Sequence, residues 1–224
     1  MVGVSGSVRL AVVEDQLFTR ELTIDLLRGH YSDSGEVLGF ATVEELLEHE
    51  QGQFDVVVLD LQLREGGLQD TDAVSAVAQV APVLVFSGLE SGEALQRAHT
   101  AGAMGYVSKD TARASTLIDG IDAVLAGQPF VDPALLVKIG ASARKQLTSR
   151  QQEVLRLEAL GCKLAQIAIE LDPPLSEAGV RRHIERIVET NRDYAKQADR
   201  VRLAINLGLV TPWEVSQRYA RSPP

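Results

Sequence analysis

The chain has 224 residues, enough for one large domain or two small ones, and its 45% hydrophobic and 24% charged content is ordinary for a globular protein. One cysteine, Cys162, excludes an intrachain disulfide framework, and four scattered histidines (His30, His49, His99, His183) show no metal-ligand spacing. The net charge of −9 is uneven: residues 1–147 carry 10 Lys+Arg against 21 Asp+Glu and residues 148–224 carry 12 against 10, which implies an acidic front half and a mildly basic rear half with separate jobs.

In chain order, the first apolar run is VRLAVV, which ends at Glu14 and Asp15, and Gln16–Arg28 follows with helical apolar spacing. EVLGF (residues 36–40) is a second short run, and Thr42–Glu50 a short acidic helix. DVVVL ends at Asp60, and the Gly-rich loop REGGLQDTD leads to an Ala/Val-rich helix over Thr71–Val80. PVLVF ends at Ser87 and precedes a helix over Glu93–Ala101; MGYVS ends at Lys109 and precedes one over Thr111–Ala126. Strands alternating with helices predict right-handed βαβ crossovers and a five-stranded parallel sheet whose carboxyl ends share one crevice. The alternation stops at Gly127-Gln128-Pro129, and residues 128–146 are expected to be a linker, with Asp132-Pro133 opening a short helix.

From residue 147 the strand pattern is gone. Thr148 and Gln151 have capping-box spacing ahead of a helix with Val154, Leu155, Leu157 and Leu160 inward, ending at Gly161. A helix over Leu164–Leu171 stops at Asp172-Pro173-Pro174, Ser176 caps a third over Glu177–Thr190, and a fourth runs from about Asp193 to Leu207. No apolar run approaches the roughly 20 residues of a membrane helix, and MVGVSGSVRL lacks the blocks of a secretory signal, so a cytoplasmic location without membrane contact is expected.

The polar residues at the strand ends are carboxylates, a hydroxyl and a lysine, without Cys or His, a set suited to phosphate chemistry with a hard metal. Carboxylates close together repel, and an octahedral Mg²⁺ relieves this. A strand-end carboxylate can then attack phosphorus while metal and ammonium neutralise the transferred group. The segments VRLAVVEDQ, VVVLDLQL, VLVFSG and GAMGYVSKD resemble the receiver domain of two-component response regulators over about residues 8–126. The resemblance implies a doubly wound (βα)5, flavodoxin-like domain over residues 7–127. It also implies Asp60 as phosphoacceptor and a Mg²⁺ (or Mn²⁺) held by Glu14, Asp15, Asp60 and the backbone carbonyl of Gln62. Ser87 would be the switch hydroxyl, Lys109 the phosphate-pairing lysine and Tyr106 the rotating aromatic that moves inward on modification. The gaps Asp15–Asp60 (45) and Ser87–Lys109 (22) fit that family. The chain departs from it in the Gly-rich loop after Asp60, in place of a Pro-containing turn, and in Gly88, where Ala is common. Phosphatases of the haloacid-dehalogenase type share a strand-end Asp nucleophile but need a second carboxylate two residues on, where this chain has Gln62.

In the rear half, Arg181, Arg182, His183 and Arg186 lie on one helix, with Val180, Ile184 and Ile187 on its other face. LTSRQQEVLRLEALGCKLAQIAIEL and LSEAGVRRHIERI resemble the LuxR-type helix-turn-helix, and the two halves together resemble the NarL/FixJ class of response regulators. The resemblance implies an all-α, four-helix DNA-binding domain over residues 147–213. In it Lys163–Leu171 is the scaffold helix, Ser176–Thr190 the recognition helix and Asp193–Leu207 the dimerisation helix, with Lys163, Arg181, Arg182, His183 and Arg186 meeting DNA. Here Leu164 replaces a typical Asn and Gly179 a typical Thr, Glu185 stands where a cation is common, and LDPPLS is longer than the usual turn.

The expectation is a transcription regulator rather than an enzyme. A sensor histidine kinase would phosphorylate Asp60, and the chain would bind double-stranded DNA as a homodimer, with RNA polymerase as a further partner. One alternative is a phosphorylation-independent regulator whose front domain binds a ligand or dimerises. Another is a protein-binding antagonist that barely touches DNA.

Overall fold

The structure, a computed structural model, describes residues 8–31, 35–49, 53–64, 66–143, 147–190 and 196–220. The chain divides into two compact units, a front one of residues 1–90 and 97–135 and a rear one of residues 91–96 and 136–224.

The front unit holds β1 (Val8–Val13), α1 (Leu17–His30), β2 (Gly35–Phe40), α2 (Val43–Leu47) and β3 (Val56–Leu59). It continues through α3 (Asp70–Val77), β4 (Val83–Ser87), the second half of α4 (Gly92–Thr100, of which residues 92–96 fall in the rear unit), β5 (Gly105–Ser108), α5 (Ala114–Leu125) and β6 (Phe130–Val131). The sheet is wholly parallel in the order β2-β1-β3-β4-β5-β6. Parallel strands are covered on both faces, which is why these runs are continuous rather than alternating. All four residues of β3 are at most 1% exposed. Each such side chain contributes about 1.5–3 kcal/mol by leaving water. Leu27 of α1 and Leu117 and Ile121 of α5 join Leu10, Val58, Leu84 and Val107 in one core cluster.

The doubly wound fold and the five expected strands are present, and a sixth extends them. Residues 128–146 were expected to be a linker, yet Phe130–Val131 pairs with Gly105–Tyr106 of β5, and Asp132 N–H donates to Tyr106 O at 2.9 Å. A two-residue strand carries too little periodicity to read; the exposed edge of β5 makes it a strand. Helix α6 (Pro133–Ala143) then starts where Asp132-Pro133 predicted. Helix α5 begins at Ala114 rather than Thr111, because Thr111 N–H and Asp110 N–H are engaged by Ser108 Oγ in a turn.

The rear unit holds α7 (Ser149–Ala159), α8 (Leu164–Glu170), α9 (Glu177–Thr190), α10 (Gln197–Asn206) and α11 (Pro212–Ala220). The capping box at α7 is formed: Thr148 Oγ1 accepts from Gln151 N–H at 3.3 Å, and Gln151 Oε1 accepts from Thr148 N–H at 2.8 Å. Ser176 Oγ accepts from Gly179 N–H at 3.1 Å, so it caps α9 as expected. Val154, Leu155, Ile167, Val180, Ile187 and Ala204 are fully buried in one core. The expected start of the fourth helix, Asp193, lies outside the described residues. Four helices were expected and a fifth, α11, follows. It is opened by a second capping box, Glu214 N–H to Thr211 Oγ1 at 3.1 Å and Thr211 N–H to Glu214 Oε2 at 2.7 Å, and it buries Trp213.

Candidate metal centre and nucleic-acid interface

The order in which strands are added reverses at β1: β2 lies on one side of it and β3 on the other, so a crevice opens beyond the carboxyl ends of β1 and β3. The register Val13↔Leu59 puts the next residues, Glu14 and Asp60, side by side, and Asp60 N–H donates to Val13 O at 3.0 Å. One oxygen each of Glu14, Asp15 and Asp60 lies within 4.8 Å of the others. Glu14 and Asp60 are each 3% exposed.

Lys109, at the end of β5, reaches over this cluster. Its Nζ donates to Glu14 Oε2 and, at 2.7 Å, to Asp60 Oδ2. Three of the four remaining oxygens are held by backbone amides: Asp60 Oδ1 accepts from Gln62 N–H at 3.0 Å, Glu14 Oε1 from Gln16 N–H at 3.0 Å, and Asp15 Oδ2 from Arg64 N–H at 2.9 Å. Asp15 Oδ1 is buried and has no partner among the described residues. Three carboxylates against one ammonium leave a formal charge of −2. Burial pushes the Glu14 carboxyl up, the bond from Lys109 opposes this, and the charge of Asp60 adds to it. A divalent cation matches the residual charge and the oxygen-only donors, and Asp15 Oδ1 is an acceptor without a donor among the described residues.

Ser87 is fully buried at the end of β4, in register with Ser108 on β5, and Lys109 N–H donates to Ser87 O at 3.0 Å. Its hydroxyl accepts from Leu89 N–H at 3.4 Å. Tyr106 is fully buried and its OH donates to Leu89 O at 2.6 Å. Burial pushes its phenol up, and the charges of Asp60 and Asp70 push the same way. The inward position expected of Tyr106 only on modification is the one this structure has, because the carbonyl of Leu89 accepts its hydroxyl. Gly88 is tight: a Cβ there would stand 3.0 Å from Gln62 Oε1.

Several supporting groups escaped the sequence reading. Arg20, one turn into α1, donates to the carbonyls of Glu14 and Asp15. Asp132 is 1% exposed; it accepts from Thr111 Oγ1 at 3.1 Å and from Ala134 N–H at 2.8 Å, tying the loop after Lys109 to the start of α6. The Asp-Pro helix start was a visible signal for the second bond, and nothing in the sequence signals the first.

In the rear unit Val180 and Ile187 are buried and Ile184 half-buried, which turns Arg181, Arg182 and Arg186 outward, with Glu185 exposed beside them. Lys163 is exposed at the start of α8, and its N–H donates to Gln166 Oε1 at 2.9 Å. His183 is half-buried; desolvation and the charges of Arg186, Arg150 and Arg182 hold its imidazole below the usual range. It is therefore neutral at pH 7 and adds no positive charge to this face. The long turn between α8 and α9 is supported by Arg150, which donates to Asp172 O at 2.8 Å and to Pro173 O.

A family model described as the response regulator receiver domain matches residues 10–121. The chain is 31% identical over 136 residues to the uncharacterized transcriptional regulatory protein YvfU of Bacillus subtilis, a match covering 60% of this chain and 66% of that one. It is 29% identical over 194 residues to the DNA-binding transcriptional activator DevR/DosR of Mycobacterium tuberculosis, covering 81% and 87%. Among solved structures, a two-component response regulator of the LuxR family from Aurantimonas sp. aligns at 28% identity with a TM-score of 0.51, covering 58% of this chain and 93% of that one. The family model spans half of the chain, and the acidic crevice lies within it. The chain therefore belongs to the response regulator family, as a NarL/LuxR-type member that joins a receiver domain to a helix-turn-helix domain.

Proposed function

We propose that this chain accepts a phosphoryl group on Asp60 from a sensor histidine kinase and regulates transcription by binding double-stranded DNA as a homodimer. The observation that carries the reading is the convergence of Glu14, Asp15 and Asp60 beneath Lys109, with Asp15 Oδ1 without a partner among the described residues. Glu14, Asp15, Asp60 and the Gln62 carbonyl would hold Mg²⁺ (or Mn²⁺). The chemistry the ion supplies is neutralisation of charge on the transferred group. The Asp60 carboxylate forms a bond to phosphorus as the phosphorus–nitrogen bond of a phosphohistidine breaks, and the leaving imidazole nitrogen keeps the electron pair. Lys109 exchanges a carboxylate partner for a phosphoryl oxygen, and the Ser87 hydroxyl donates to another.

Arg181, Arg182 and Arg186 would meet phosphates and guanine edges, with Lys163 at the start of α8. By the family resemblance α10 is the pairing helix; it offers Gln197, Ala198 and Arg202 to solvent. Two half-sites combine modest monomer affinities. The donor and the DNA target put this work in the cytoplasm, with RNA polymerase as a further partner and no catalytic role toward an outside substrate. Among the described residues no helix is long and apolar enough to cross a membrane.

Labelling with acetyl phosphate and Mg²⁺ tests the first half: Asp60→Asn should take no label, and a labelled variant would sink the assignment. It also separates the alternative of a receiver used only for ligand binding or pairing, which predicts an unlabelled wild type. Arg181→Ala with Arg182→Ala should weaken DNA binding and lower the slope of log K against log salt by about 2, if each arginine neutralises one phosphate. An unchanged slope would remove α9 from the groove.

A further inference from the structure

We infer that Glu44 is a positioning residue for the cation pocket: from α2 it holds the loop after β3 in the shape that lets Arg64 N–H orient the Asp15 carboxylate. The inference rests on the cation reading of the crevice.

The carboxylate of Glu44 is the fixed end of the clasp. Helix α2 is anchored by buried Val43 and Leu46 and capped by Thr42, whose Oγ1 accepts from Glu45 N–H at 3.2 Å. Glu44 Oε1 accepts from Gly67 N–H and from Leu68 N–H, both at 2.8 Å. A carboxylate taking two adjacent amides is a charge-assisted pair of bonds that sets the direction of the loop backbone. The carboxyl is held below the usual range by its own backbone N–H and those of Leu68 and Gly67, so it is charged at neutral pH.

The loop is built to admit this carboxylate. Gly66 has φ 89°, a conformation glycine adopts freely. A Cβ there would lie 2.7 Å from Glu44 Oε2 and 3.1 Å from Thr42 Cβ, and one at Gly67 would lie 3.3 Å from Glu44 Oε1. Two consecutive glycines therefore admit the acid and, without it, would leave this stretch conformationally free. Arg64, two residues before Gly66, donates its N–H to Asp15 Oδ2 at 2.9 Å, and Asp15 Oδ1 is buried without a partner among the described residues. Asp15 is thus aimed by a loop amide whose own place is set from α2. Groups hydrogen-bonded to a metal ligand typically change metal affinity by about 10–100-fold when removed, and Glu44, one step further out, is expected at the low end of that range.

The test is Mg²⁺ titration of the full chain by calorimetry, with hydrogen exchange of the Gly67 and Leu68 amides read by NMR. Glu44→Ala should weaken Mg²⁺ binding by about tenfold and speed exchange at both amides, with the thermal midpoint little moved. Glu44→Gln keeps an acceptor oxygen and should recover most of the affinity. Gly66→Ala should reproduce the loss with Glu44 intact. If the wild type binds Mg²⁺ and Glu44→Ala binds it equally well, this inference falls and the cation reading stands. If the wild type binds no Mg²⁺, both fall together.

Discussion

Lys109→Met is the most direct probe of the crevice. The substitution keeps most of the side-chain volume and removes the one ammonium that bridges Glu14 and Asp60. At 2.7 Å from Asp60 Oδ2, an effective dielectric of about 20 puts the Coulomb attraction near 6 kcal/mol before desolvation is counted. The lysine side chain is only 18% exposed, so solvent screening is limited. Removing one partner of such a buried pair costs about 3–5 kcal/mol, because the remaining charge stays buried without compensation. Burial already pushes the Glu14 carboxyl up, so that group can take a proton and relieve part of the cost, which favours the lower end, about 3 kcal/mol. With a urea dependence of about 1–3 kcal/mol per M, the front unit should unfold about 1–3 M earlier in EDTA. The rear unit supplies an internal control: Trp213, the only tryptophan, is buried there, and its fluorescence transition should not move. Mg²⁺ at 100 times its dissociation constant would return about 2.7 kcal/mol. A variant as stable as the wild type in EDTA at neutral pH would show that Lys109 is not the countercharge of this cluster.

Arg200→Leu breaks the bond pair to Glu158 at 2.6 and 2.9 Å, where the side chains are 11% and 8% exposed. The rear unit should lose about 3 kcal/mol, read by Trp213 fluorescence, and adding Glu158→Leu should recover most of it; no loss in the single variant would contradict this. His183 carries a pH prediction. Its pKa lies below the ordinary 6.5 in the folded chain, so the folded state resists the proton. Rear-unit stability should be level above about pH 6.5 and fall as the pH drops from there toward the folded pKa. His183→Gln should flatten that fall, and parallel curves for the two proteins would refute the sign.

How much of this was legible without coordinates follows from the range of each interaction. Apolar periodicity is local, so the runs ending at Glu14, Asp60, Ser87 and Lys109 announced both the parallel sheet and the end of it where polar groups gather. Capping at Thr148 and Ser176 was equally readable, since a cap needs only residues three apart. The outward face of α9 followed from the spacing of Val180, Ile184 and Ile187. Other features depend on contacts between distant parts of the chain. Phe130–Val131 is a strand only because β5 has an open edge. Tyr106 is inward because the Leu89 carbonyl accepts its hydroxyl. His183 is kept neutral by burial and by arginines brought near by folding. The same is true of the Asp132–Thr111 bond and of the Glu44 clasp, 23 and 24 residues from the amides it holds.

The amino-acid order by itself determined the first five strands and their alternation with helices, the change to an all-helical rear part and the chemical type of the crevice. Only the tertiary structure decided which oxygen of Asp15 stays open, which carboxylates share Lys109 and which loop amide aims a ligand. The physical reason is that hydrophobic patterning and capping act over one or two turns of chain, whereas hydrogen-bond partners within a site are chosen to within tenths of an ångström by residues that folding alone brings together.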